Sequence, residues 1–147
     1  MLSKNPIAYF CHLKIWPMSR NALASVSPVD GRYARHTEQL SEYFSEYALF
    51  KYRVRIEIEY LITLSDQGLQ NIKPLSEDEQ YKLRGLYMDF TLQDAEQIKK
   101  IERVTNHDVK AVEYLIKEQL EGLGRKDLLE FVHFGLTSQD INNTAVP

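Results

Sequence analysis

Cysteine is nearly missing from this chain. Among 147 residues only Cys11 occurs, which excludes an internal disulfide and fits a reducing, cytoplasmic compartment. No apolar run approaches the roughly 20 residues needed to span a bilayer, so no membrane partner is expected. Excess positive charge is lacking too: the net charge is −3 and no basic stripe stands out, which argues against nucleic acid as a partner. Glycine is sparse, and Gly122-Leu123-Gly124 lacks the third glycine of a phosphate loop and opens no strand–helix unit. There is no G-x-S-x-G elbow and no Cys–His pairing. Metal ligation is weakly supported, since His133 lacks an H-x-x-x-H partner and adjacent His107 and Asp108 point different ways on a helix. What is present is a hydrophobic fraction of 44% and a charged fraction of 27%, ordinary for a globular chain. If compact, it is large enough to bury about two-thirds of its unfolded surface.

The periodicity is helical. Residues 1–17 stand apart, because Pro6, Cys11, Lys14 and Pro17 interrupt an apolar stretch too short and too polar for a signal-peptide core. They are read as an extension, with Met18 as an alternative start. From about His36 to Gln67, Leu40, Phe44, Tyr47, Phe50, Val54, Ile58, Leu61 and Ile62 recur at three- and four-residue steps and predict one apolar stripe. The alternation Val54-Arg55-Ile56-Glu57-Ile58-Glu59-Tyr60 read alone says strand, but its helical flanks favour helix. Ser76 with Glu79 and Thr91 with Asp94 are capping boxes. Leu83, Leu86, Tyr87 and Phe90, then Ile98, Ile101 and Val104, are expected on the buried faces of the helices that follow. Thr105 and Asp108 repeat the capping pattern, so two helices are expected with a break at 105–107; the second ends at Gly122 and Gly124.

Three polar clusters lie at element boundaries, where functional groups tend to sit. Pro28 and the Asp30-Gly31 turn pair constrain a loop that presents Arg32 and Tyr33. The plain reading is an exposed arginine beside a packed tyrosine; the functional one is an arginine fork for phosphate beside a tyrosine hydroxyl. Asn106, His107 and Asp108 occupy the predicted break, where a helix start favours a bound anion. A histidine at such a break is more often a structural cap or a hydrogen-bonded surface residue. In the third cluster, apolar residues at 131, 132, 134 and 136 are expected to carry His133 inward, and Thr137 with Asp140 caps a last helix. That helix aims free N–H groups at whatever faces it, which suits a carboxylate or phosphate. The chain ends at Pro147, seven residues after Asp140, which reads as a cut rather than a finish.

At these residues the chain resembles the adenylosuccinate lyases of the fumarase/aspartase superfamily. The likeness is carried by S-P-V-D-G-R-Y at 27–33, S-E-Y-A-L-F-K-Y-R-V at 45–54, I-E-R-V-T-N-H-D-V-K-A-V-E-Y at 101–114 and V-H-F-G-L-T-S-Q-D-I-N-N at 132–143. The T-S-x-D-x-N core is shared across the superfamily. The D-G-R-Y loop and the T-N-H-D-V-K-A-V-E-Y segment set this family apart from argininosuccinate lyase, fumarase and aspartase.

The resemblance implies an all-α fold: a small helical N-terminal domain over residues 18–128, then the truncated start of a central helical bundle at 129–147. It implies β-elimination of fumarate from adenylosuccinate to give AMP, and from the succinylated carboxamide ribotide SAICAR to give AICAR, with no metal or organic cofactor. A base takes a proton beside a carboxylate while an acid protonates the departing nitrogen. Carried over residue by residue, Arg32 and Tyr33 match the pair that holds the substrate phosphate. Asn106, His107 and Asp108 match the segment lining the nucleotide, with His107 near the reacting centre. Thr137 and Ser138 match the pair that binds a succinyl carboxylate, and His133 matches a histidine shaping the pocket. The family's later acid histidine and its base serine on a flexible loop have no counterpart here, and its homotetramer builds each site from three subunits. The chain alone is therefore expected to be inactive. A non-catalytic helical module binding a nucleotide or partner, and another superfamily lyase such as argininosuccinate lyase, are the rival readings.

Overall fold

The structure, a computed structural model, describes residues 22–68 and 72–146. The 1–17 extension lies outside the described residues. The chain divides into two compact units, one reaching to Gln39 and one from Leu40 onward.

In the first unit, a 3-10 turn at Ala22–Ala24 leads into the Ser27–Tyr33 loop and helix α1 (Ala34–Thr37). The loop is closed by backbone bonds from Asp30 N to Ser27 O and from Tyr33 N to Pro28 O, at 3.1 and 2.9 Å. Thr37 Oγ1 donates back to the Val29 carbonyl at 3.2 Å. Gly31 is required by close approach: a Cβ there would sit 2.6 Å from the Ala22 carbonyl oxygen.

The second unit is built on α3 (Glu46–Asp66), which follows the short α2 (Ser41–Phe44). Around it lie α4 (Glu77–Met88), α5 (Leu92–Thr105), α6 (Asp108–Gly122), a 3-10 segment at Lys126–Phe131 and α7 (Ser138–Ala145). No strand occurs among the described residues, so Val54–Tyr60 is helix. Phe50, Val54, Ile58 and Leu61 of α3 are buried in one core with Leu83 of α4, Ile98 of α5, and Val112, Ile116 and Leu120 of α6. Tyr47 Oη donates to the Phe90 carbonyl at 2.6 Å, fastening α3 to the α4–α5 junction. The Ser65 hydroxyl accepts from Leu75 N at 2.7 Å and holds the loop before α4 against the end of α3. Buried Arg125 closes the far end, reaching Asp127, Glu79 and the Lys73 carbonyl.

Several expectations shift. Leu40 and Phe44 are exposed, because Ser45 turns extended (φ −82°, ψ 162°) and caps α3, so the apolar stripe starts afresh after it. The Ser45 hydroxyl accepts from Ala48 N at 3.1 Å. Val104 is exposed in the last turn of α5, beyond the core contacts of Ile98 and Ile101. Phe134 is exposed as well, since the chain turns at His133 and only Val132 of that apolar group is buried. The three capping boxes form as expected, at Ser76–Glu79, Thr91–Asp94 and Thr137–Asp140.

Candidate functional site

The break between α5 and α6 is built by two residues of opposite conformation. Asn106 ends α5 in the left-handed region (φ 51°), which asparagine tolerates, and His107 is extended. The cap of α6 is therefore His107 and not Thr105: His107 Nδ1 accepts from Lys110 N at 3.1 Å. The Thr105 hydroxyl instead donates to the His107 carbonyl at 3.2 Å. A neutral imidazole that accepts at Nδ1 carries its proton on Nε2, so half-exposed His107 offers an N–H outward.

Asp108 reaches both ways, with Oδ1 3.7 Å from His107 Nδ1. Its Oδ2 lies 2.7 Å from an Arg53 guanidinium nitrogen, and Arg53 Nε donates to Asn142 Oδ1 at 3.0 Å. One arginine on α3, only 5% exposed, thus ties the start of α6 to α7. Burial pushes the Asp108 carboxyl up, but the Val109 N–H and the Arg53 guanidinium outweigh it and hold it below the usual range.

At α7, the Thr137 hydroxyl accepts from Asp140 N, and an Asp140 carboxylate oxygen accepts from Thr137 N at 2.7 Å. These bonds, with the Thr137 hydroxyl, hold the Asp140 carboxyl low. Ser138 is the first residue of the helix. Just before it, His133 (φ 62°) and Gly135 (φ 71°) are both left-handed and reverse the chain. His133 Nδ1 lies 2.5 Å from Oε1 of the fully buried Glu57. Burial is the main cause that lifts the Glu57 carboxyl, helped by Glu113 and opposed by His133.

The 106–108 and 133–142 clusters are therefore brought onto one scaffold through α3. Arg32 and Tyr33 belong to the first unit; both are exposed, and the Arg32 guanidinium carbon lies 5.5 Å from the Tyr33 ring centroid. Arg53 and Glu57 are the residues that sequence reasoning missed. A signal was present: both fall in phase with the stripe of Phe50, Val54, Ile58 and Leu61, so two charges sit on a buried face. Among the described residues no group of three or more His, Cys, Asp or Glu side chains could hold a metal, and no helix is long and apolar enough to cross a membrane.

Comparison with known proteins matches residues 31–147 to the lyase family model. An adenylosuccinate lyase of Dictyostelium discoideum is 56% identical over 133 residues, covering 86% of this chain and 28% of that protein. The adenylosuccinate lyase of Vibrio cholerae is 44% identical over 130 residues, 87% of this chain and 28% of its own length. That of Escherichia coli K12 is 42% identical over 128 residues, again with 28% of its length covered. The chain thus spans little more than a quarter of these relatives.

Proposed function

Since the chain belongs to the lyase family, we propose that it is the N-terminal part of an adenylosuccinate lyase of the fumarase/aspartase superfamily. The reaction is carbon–nitrogen elimination of fumarate from adenylosuccinate, and from SAICAR, in cytoplasmic purine synthesis. The observation that supports the reading is the Arg53 clasp, which ties Asp108 at the start of α6 and Asn142 of α7 to one helix. A substrate with carboxylates and a nucleotide needs donors from more than one element. The first two N–H groups of α7 and the Ser138 hydroxyl suit a succinyl carboxylate. His107 and Asn106 line the nucleotide side, His133 the reacting end, and Arg32 with Tyr33 the phosphate. The site is completed by the missing acid and base and by neighbouring subunits of a homotetramer.

This 147-residue chain alone is expected to release no fumarate from adenylosuccinate, followed by ultraviolet absorbance. Mixed with a full-length enzyme carrying Arg-to-Ala at the position equivalent to Arg32, it is expected to restore turnover by supplying its own loop. Turnover by the chain alone would place an acid and a base among His107, His133 and their neighbours, and would defeat the division of labour proposed here.

A further inference from the structure

Glu57 lies outside the polar helix starts, yet it grips one of them. Its side chain has no exposure, Oε1 is 2.5 Å from His133 Nδ1, and Oε2 has no hydrogen-bond partner among the described residues. Tyr60, three residues further along α3, donates to the Phe134 carbonyl at 2.8 Å. One helix face therefore holds both the imidazole of His133 and the peptide that follows it. His133 is kept in the left-handed region, which a residue with a Cβ seldom adopts. Its Nε2 has no hydrogen-bond partner among the described residues.

We propose that Glu57 is a positioning residue for His133: its carboxylate accepts the Nδ1–H and fixes the neutral ring in the tautomer whose lone pair is on Nε2. A contact this short fits two arrangements, an N–H donating to a carboxylate or a carboxyl O–H donating to the ring. Imidazole is ordinarily more basic than a glutamate carboxylate by about two pH units, so where the ring is neutral the carboxylate has already lost its proton and can only accept. Desolvation narrows that gap and makes the carboxylate a stronger acceptor. The groups facing the pair are Glu113 of α6, itself bound to Lys110 at 2.8 Å, and Asp140 of α7. No lysine or arginine pairs with Glu57 among the described residues.

The consequence is a contrast between two histidines. His107 has its Nδ1 engaged as an acceptor and presents Nε2–H, a donor. His133 has its Nδ1 engaged as a donor and presents a bare Nε2, which takes an N–H or O–H group of a ligand, or a proton. Using that pair on a succinylated nucleotide rests on the lyase reading; the tautomers themselves do not.

The test is a long-range proton–nitrogen spectrum of the imidazoles in the nitrogen-15-labelled chain, at a pH where the rings are neutral, with signals assigned by H133N and H107N. His133 is expected as the Nδ1–H tautomer and His107 as Nε2–H. E57Q, whose carboxamide oxygen can still accept, keeps the His133 tautomer. E57L removes the acceptor and returns His133 toward the Nε2–H form, while the amide spectrum of the helices stays in place. An Nε2–H ring at His133 in the parent chain overturns the proposal, as does an Nδ1–H ring that persists in E57L. Should E57L not fold, the parent spectrum decides alone. A failed fumarate assay would leave these signals untouched, so the two readings fail separately.

Discussion

Arg53 is the residue on which most depends per atom. Replacing it with methionine keeps much of its volume but leaves Asp108 and Asn142 without their partner. Breaking a buried ion pair costs about 3–5 kcal/mol, but Asp108 is 44% exposed and water screens part of the loss. R53M is therefore expected to lose about 1–3 kcal/mol in urea unfolding, whereas R53K loses less but cannot serve both partners at once. An unchanged urea midpoint in R53M would mean that the clasp contributes nothing. Glu57 gives a pH signature of definite sign. Burial lifts its carboxyl, so the fold favours the protonated form. That contribution is intact below the ordinary glutamate pKa of about 4.3 and is lost as pH rises through the lifted value. Relative to E57Q, the parent should lose stability as pH rises from the ordinary value through the lifted one and stay level above it; a constant difference in urea midpoint between about pH 4 and 7 would contradict this. Neither residue is visible to a reading that tracks apolar letters, because a charged residue in the stripe looks like a gap. The same blindness explains the cap at α6. Thr105–Asp108 matches the S/T-x-x-D pattern as well as any true box, but the left-handed turn at Asn106 moves the helix start to His107.

At the scale of elements, local rules held where local chemistry decides. The three S/T-x-x-E/D signatures close as reciprocal boxes because each needs only a hydroxyl, a carboxylate and three residues of chain. T91A is expected to cost about 1 kcal/mol, read from the urea midpoint, and T137A a similar amount. Glycines separate helix interior from turn. Gly85 lies inside α4, where an added Cβ meets only Asp89 Oδ2 at an ordinary 3.9 Å, so G85A should stabilise by about 0.5–1 kcal/mol. Gly135 has open space around its Cα but φ +71°, so G135A should cost about 1–2 kcal/mol from backbone strain alone. Opposite shifts in thermal midpoint check the pair; equal shifts would remove the distinction. Helix ends and side-chain exposure were less legible. Phe44, Val104 and Phe134 are apolar in sequence but face outward, because burial depends on what packs opposite and not on the residue itself.

For the molecule as a whole, the all-α class was readable because long runs of 3.6-residue periodicity leave little choice. What periodicity does not supply is which face stays open. Tyr43, Phe44, Leu49, Ala145 and Val146, with Ser45 and Glu46 among them, line a shallow, mostly apolar cavity of about 400 Å³, and Phe44 and Val146 are 71% and 63% exposed. An apolar surface of this kind favours association. Sedimentation equilibrium should show concentration-dependent self-association that weakens in F44S, while a monomer at every concentration would speak against it. The contacts that tie the two polar clusters to α3 also set the order in which they form. Arg53 to Asn142 spans 89 residues, Glu57 to His133 spans 76 and Tyr60 to Phe134 spans 74, whereas α5 and α6 meet across a two-residue break. Closing long loops is slow relative to pairing neighbours in sequence. The α5–α6 hairpin can form before residues 133–142 have left the ribosome; the three α3 contacts cannot. The contacts that bind the 133–142 segment to α3 are thus made after the α5–α6 pair is already in place, and any disturbance of that pair is inherited by them.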